Sequence, residues 1–426
     1  MTETTIALAV AIASAVAAPR AETHVKLTVD ATAAPKPALR YVLLPELKEL
    51  TPGNPIPAYM KCVIGQEAGA AESPADRGLL QLADRAARMD KPDWQILPKL
   101  RTDGLALLLP DLQKMRQLSA ALQERFRDEV ARGRFDDAQV TAKTMFALAR
   151  HMGEHPTLIG SLVAIALAQV AAAPFEEMLG QPGCPNFYWA LTALPQPFVP
   201  LDKALEGERM LIDAELRDLD DQQPMTTAQL KKLIQHLERI DRRDTKLIDW
   251  LARTAKDADH MEAARARLSE HGIAGERVAQ FSPYQVLLLD ERREYEIQRD
   301  EQMKLVPLPA WEAVPRLKRL PAPKMRPIVD TFLPELQRIR AAQARVDQRL
   351  ALLRHVEALR LHAAGHGGAL PARLADVDVP LPVDPFTGKP FRYEVIDGAA
   401  HLWGTPPLGY EDNAAYNLHY EIVIRK

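Results

Sequence analysis

Apolar and polar positions follow two rhythms along the chain, and the helical rhythm covers most of it. Leu112, Met115, Leu118, Leu122 and Phe126 recur at steps of three and four, which predicts one apolar helix face. Gly133 closes that helix. The next begins at Asp136-Asp137, acidic residues suited to the positive end of a helix, and runs through Val140, Met145, Phe146 and Leu148 to His151. Pro156 then opens a stretch from Leu158 to Pro174 that is apolar on every side, as in a helix at the centre of a bundle. The longest pattern, residues 227–271, starts at a Thr226/Gln229 capping box and stops at Gly272. Its Leu230, Leu233, Leu237, Ile240, Leu247, Leu251, Ala258, Met261 and Leu268 keep the same steps, with Asp244 and Thr254 as polar interruptions. Unbroken, it predicts a helix about 65 Å long that folds into a hairpin with residues 275–304.

Residues 22–66 do not read as helical. His24 to Val29 alternates as an exposed strand does, Ala34-Pro35-Lys36-Pro37 is an extended linker, and Thr51-Pro52-Gly53-Asn54-Pro55 is a turn. Near the other end, Asp330 is the expected N-cap of a helix carrying Leu336, Ile339, Val346, Leu350, Leu353, Val356 and Leu359, which exits at Gly365. A strand at Phe391–Ile396, a tight turn at Asp397-Gly398, a strand near His401-Leu402-Trp403 and a last one at Tyr420–Ile424 follow. These patterns predict a mainly α protein. It is a helical bundle with tetratricopeptide-like hairpins and one long helical hairpin, plus a small C-terminal β-rich (α+β) unit. The expected segments are a signal peptide (1–17), an extended β-poor N-terminal segment (18–72), a helical core (73–306), a Pro-rich connector (307–327), and a long helix with its β tail (328–426).

Composition narrows the setting. The 54 basic and 57 acidic residues leave a net charge of −3, spread along the chain, which argues against nucleic acid because that affinity comes from neutralising phosphates. Ile6 to Ala18 has the length of a signal-peptide apolar region, and Ala15-Val16-Ala17 offers a cleavage site, although no Lys or Arg precedes it. Export to the periplasm or cell envelope is therefore expected, with no other segment reading as transmembrane. A retained N-terminus would instead fit a cytoplasmic helical scaffold. Cys62 and Cys184 read as two buried thiols, with a single long-loop disulfide as the alternative in an exported protein, and not as a zinc site, since paired spacing is absent.

Candidate chemistry is sparse. His151-Met152-Gly153-Glu154-His155 spells H-x-x-E-H, a zinc-peptidase pattern that needs both histidines on one helix face. Pro156 disfavours that geometry, so His151 at a helix C-terminus is the better reading. His355, His362 and His366 share a helical spacing, but Gly365 and Gly367 place the last in a helix exit. Pro185-Asn186-Phe187-Tyr188-Trp189 is an aromatic cluster suited to packing or to lining a groove. G-x-S-x-G, phosphate-binding and G-x-G-x-x-G loops are missing from the sequence.

Three resemblances add to this. Gly133-x-Phe135-x-x-Ala138 resembles the interhelix segment of a tetratricopeptide repeat, without a repeated 34-residue period. The C-terminal order of long helix, Gly-rich exit, Leu370-Pro371-x-x-Leu374, and Asp384-Pro385-Phe386-Thr387-Gly388-Lys389-Pro390 with Tyr393 resembles the soluble part of type II secretion pseudopilins. That likeness implies a calcium loop at residues 404–413, with Glu411, Asp412 and Asn413 as oxygen ligands, although prolines interrupt the expected pattern. The internal, Arg-bearing helix departs from a pilus subunit, whose membrane helix stands at the N-terminus. More of the chain resembles a family of exported planctomycete proteins without an established activity. This likeness rests on Leu39-Arg40-Tyr41-Val42-Leu43-Leu44-Pro45, Thr51-Pro52-Gly53-Asn54, Leu148-Ala149-Arg150-His151, Pro185-Asn186-Phe187-Tyr188-Trp189-Ala190-Leu191 and the tail. The function expected is non-enzymatic, with protein partners met through helical surfaces and no cofactor other than the calcium ion that the pseudopilin likeness implies. The alternative is a zinc-dependent hydrolase using His151, Glu154 and His155.

Overall fold

The computed structural model describes residues 22–67, 77–107, 109–241, 244–321 and 326–425. The expected signal peptide lies outside them. The fold is mainly helical with a small sheet, as the apolar periodicity predicts.

Strand β1 (Thr23–Val29) comes first, then helices α1 (Ile56–Glu67), α2 (Arg77–Ala87) and α3 (Leu97–Asp103). α1 corrects the non-helical reading of residues 22–66. Its Ile56, Tyr59, Cys62 and Val63 are spaced by three, three and one, and all are buried in the main core. Central to that core are α4 (Asp111–Ala131), α5 (Phe135–Gly153) and α6 (Leu158–Leu179). Thr157 caps α6, its hydroxyl accepting from Gly160 N at 3.1 Å. α6 is long and apolar enough to cross a membrane, and two-thirds of its most apolar window (67%) is buried in this fold. α7 (Tyr188–Thr192) and α8 (Asp202–Glu215) follow. At Gly207 on α8 a Cβ would stand 1.9 Å from Pro156 O, so only glycine permits this approach to the turn between α5 and α6.

The predicted 65 Å helix is three helices: α9 (Thr227–Ile240), α10 (Leu247–Thr254) and α11 (Ala258–Glu270). The polar interruptions mark the breaks. The Asp241 carboxylate accepts from Thr245 N at 2.6 Å and from its hydroxyl at 2.7 Å, and Asp244 and Lys246 adopt φ of 52° and 54°. Thr254 ends α10, and Asp257 caps α11 by accepting from His260 N at 3.1 Å. Breaking the rod lets its apolar faces wrap a second core with α13, instead of forming one seam. α12 (Gly275–Val278) and α13 (Pro283–Met303) lead to the segment expected as a bare connector, which instead contains α14 (Ala310–Arg319). Burial of Ala310, Ala313, Val314 and Leu317 outweighs the hydrogen bond lost at Pro315.

α15 (Pro327–Phe332) encloses Asp330, so that residue is not the cap of the last helix, α16 (Leu336–Gly365). The break between them falls where Pro334 forces Leu333 out of helical geometry (ψ 120°). A buried ion network closes the second core. Asp290 on α13 accepts from Arg267 of α11 at 2.8 Å and from Arg326 at 2.7 Å, and Glu291 accepts from Arg326 at 2.9 Å and from Ile328 N at 3.0 Å.

The tail carries β2 (Arg392–Ile396), β3 (Ala399–Trp403) and β4 (Leu418–Ile424), and a left-handed turn at Asp397-Gly398 (φ 51° and 82°) joins β2 to β3. Asp384 organises it. This buried carboxylate accepts from Phe386 N at 3.0 Å, Thr405 N at 2.7 Å and Gln348 Nε2 of α16 at 3.0 Å. The strand order is β1-β4-β3-β2, with β1 parallel to β4. The N-terminal segment is therefore no separate unit, because it supplies the edge strand of the C-terminal sheet. Arg360, fully buried on α16, fastens the end of β1: it donates to Asp30 O at 3.0 Å, Thr32 Oγ1 at 2.9 Å, Cys184 O at 2.6 Å, Pro185 O at 3.1 Å and Glu357 at 2.9 Å.

Candidate functional site

The H-x-x-E-H residues are dispersed. His151 in the last turn of α5 shares a hydrogen bond with the Tyr59 hydroxyl at 3.0 Å, and Glu154, at the C-cap, pairs with Lys203 at 2.8 Å. His155, one step past the C-cap, bonds through Nδ1 to Thr157 Oγ1 at 2.9 Å and packs its ring against Trp94. His151 and Glu154 edge one cavity, with Arg150 and Lys203, whereas His155 edges another beside Leu109 and Leu112. Burial depresses both imidazoles to about 4. Their geometry is that of packing groups at a helix end.

The other predicted residues also have local partners. His355 is buried beneath Phe391, with Nδ1 on Ala351 O at 2.8 Å, while His362 and His366 stack at the exposed end of α16 with centroids 3.9 Å apart. In the proposed calcium loop, Glu411 accepts from Gly409 N at 2.8 Å and Asn413 from Ala415 N at 3.0 Å, with Asp412 exposed between them. Cys62 and Cys184 are free buried thiols, held up at about 11 and about 12 by burial. In the aromatic cluster, Phe187 and Tyr188 are fully buried and Asn186 donates to Glu357 O at 3.0 Å, so it serves packing.

Two surfaces offer more. The first is a cavity of about 550 Å³ between α9, α10 and the start of α13. Leu230, Ile234, Ile248 and Tyr284 supply apolar surface, and Lys231 and Glu238 stand at its edge. The capping box that starts α9 fixes one wall: Thr226 N donates to Gln229 Oε1 at 2.8 Å, and Gln229 N to Thr226 Oγ1 at 3.3 Å. Ser282, capping α13, fixes another by accepting from Gln285 N at 3.4 Å. The breaks between α9, α10 and α11 create this groove, since a continuous helix would have no re-entrant wall.

The second is the outer face of the sheet. Val25, Leu27, Tyr420, Ile422 and Leu402 point inward, so the alternate residues face out. One outward row runs across all four strands: His24, His419, Trp403 and Arg392. The His24 and His419 rings stack at 4.3 Å, Trp403 stacks on His419 at 4.8 Å, and the Arg392 guanidinium lies 4.3 Å over Trp403. The next row brings Lys26, Glu421, His401 and Glu394 together. Sequence reasoning missed this assembly. Its only signal is a polar or aromatic residue at alternate positions, His24 and Lys26, Arg392 and Glu394, His401 and Trp403, His419 and Glu421, and the cross-strand register that unites them is not legible locally.

No family model matches this chain, and neither a curated protein nor a solved structure matches it.

Proposed function

We propose that this chain is a non-enzymatic binding protein that takes an amphipathic helix of a protein partner into the groove between α9, α10 and α13. The supporting observation is the shape and lining of that groove. Its α9 wall extends from Thr227 to Glu238, about three helical turns or roughly 17 Å, over an apolar floor of Leu230 and Ile234. An elongated ligand with apolar residues at steps of three, four and seven matches that length better than a compact metabolite does. Ile248 stands 40% exposed at the rim, as an anchor for such a helix.

Export to the cell envelope belongs to the same proposal and rests on the Ile6–Ala18 run and Ala15-Val16-Ala17. So does the pseudopilin-like reading of the tail, supported by the order of α16, the Gly-rich exit, the Asp384 turn and the β2–β3 hairpin, with β1 as an addition to that plan.

Selection of displayed helical peptides on the full chain tests the groove. Binders with apolar residues at helical spacing are expected, and Ile248→Glu should weaken them at least tenfold. Failure to select binders, or binders indifferent to Ile248→Glu and Tyr284→Ala, would overturn the proposal.

A further inference from the structure

The outer sheet face carries a second kind of chemistry. Among the described residues, one ligand atom from each of Glu22, His24 and His419 lies within 4.8 Å of the others. His419 is buried, and Glu22 and His24 are open to solvent. Each imidazole is held by a partner outside this trio. His24 Nε2 donates to Glu421 Oε2 at 3.0 Å, which leaves its Nδ1 as the nitrogen for a ligand. Lys26, 3.0 Å from the same Glu421 oxygen, keeps that carboxylate in place. His419 Nδ1 lies 3.1 Å from Glu22 Oε1, and its Nε2 lies 2.9 Å from His401 Nδ1.

We infer that Glu22, His24 and His419 form a binding site for a divalent transition-metal ion of the zinc class, with His401 and Glu421 as positioning residues. Two imidazole nitrogens and one carboxylate oxygen suit zinc, with a fourth position left to water. A carboxylate oxygen accepts only, so the 3.1 Å contact with Glu22 Oε1 requires a proton on His419 Nδ1. The ion takes that proton's place, the neutral ring carries its proton on Nε2 instead, and Nε2–H donates to His401 Nδ1. Both ligating histidines then have their distal N–H on an acceptor, Glu421 for His24 and His401 for His419, the arrangement that fixes tautomer and orientation at metal sites. Binding requires the His24 ring to tilt out of its 4.3 Å stack, because parallel rings aim their lone pairs side by side. The exposure of the His24 side chain, 31%, leaves room for that tilt, while Trp403 on the opposite side holds His419 still. The parallel pairing of β1 with β4 assembles the trio, so the ion would link the first strand to the last.

The test is calorimetric titration of the chelator-treated full chain with Zn²⁺, with Co²⁺ absorption reporting coordination geometry. One equivalent of Zn²⁺ is expected, with tetrahedral Co²⁺ bands. Affinity should fall at least tenfold in His24→Ala and in the milder Glu22→Gln, and about tenfold in His401→Phe through loss of positioning. The double variant His362→Ala/His366→Ala removes another stacked histidine pair, on α16, and should bind as the parent does. Circular dichroism of each variant confirms the fold. Absence of stoichiometric binding, binding unchanged by His24→Ala and Glu22→Gln, or loss in the α16 double variant instead would overturn the assignment.

Discussion

His24 on β1 and His419 on β4 stand directly opposite each other in parallel register, their ring centroids 4.3 Å apart and their ring planes 2° from parallel. The two residues are 395 positions apart, so the stack reports that the start of the described chain completes the sheet at its end. On the other face of the same strand pair, Leu27 and Val29 are buried against the main core. Val29→Ala should therefore cost about 2 kcal/mol, by lost burial and a residual cavity. Urea unfolding measures this, and a cost near zero would mean that β1 is not part of the cooperative core.

Asp384 receives three hydrogen bonds on a buried carboxylate, including one from α16. Asp384→Ala should cost about 3 kcal/mol because Thr405 N and Gln348 lose their acceptor in a buried site. Asp384→Asn should cost less, since its amide oxygen retains part of the acceptor role. Equal losses in the two variants, measured by chemical denaturation, would contradict this account of the tail.

Arg326 joins Asp290 and Glu291 across the second core, and burial lifts Glu291 to about 7 despite that guanidinium. Arg326→Met leaves two buried carboxylates without their shared cation, and should destabilise the second core by roughly 3–5 kcal/mol. Hydrogen exchange should then rise in α11, α13 and α15 before it rises in α4 to α6. Uniform acceleration would argue for one cooperative core.

Burial holds His151, His155 and His355 near 4, below the ordinary imidazole value of 6.5. These rings are neutral in the fold at pH values where the unfolded chain would protonate them. Unfolding therefore takes up protons between pH 6.5 and about 4, and stability present above that window is lost as pH falls through it. Each ring accounts for a loss on the order of 3 kcal/mol by the lower limit. His355→Leu should reduce the acid slope of unfolding free energy by about one proton, and an unchanged slope would refute the assignment.

What was legible in the sequence was local. The Thr226/Gln229 capping box, the stop at Gly133 and the Asp397-Gly398 turn each depend on a few neighbouring residues, and each is present. The breaks at Asp244 and Thr254 were visible as polar seam positions, yet periodicity alone ran through them, because helical steps resume after each break. α1 was missed because prolines and a turn precede it and because tertiary burial, rather than amphipathic contrast, drives it. H-x-x-E-H matched in letters, but the end of α5 at Gly153 sends His155 to a different cavity from His151. The histidine face required the β1–β4 register, which no local pattern encodes.

Hydrogen exchange of the full chain with and without a selected helical peptide tests the groove most directly. The account predicts slowed exchange in α9, α10 and the first turns of α13, with the rest of the chain unchanged. Protection confined to α4–α6 or to the sheet, with none in α9 and α10, would contradict it.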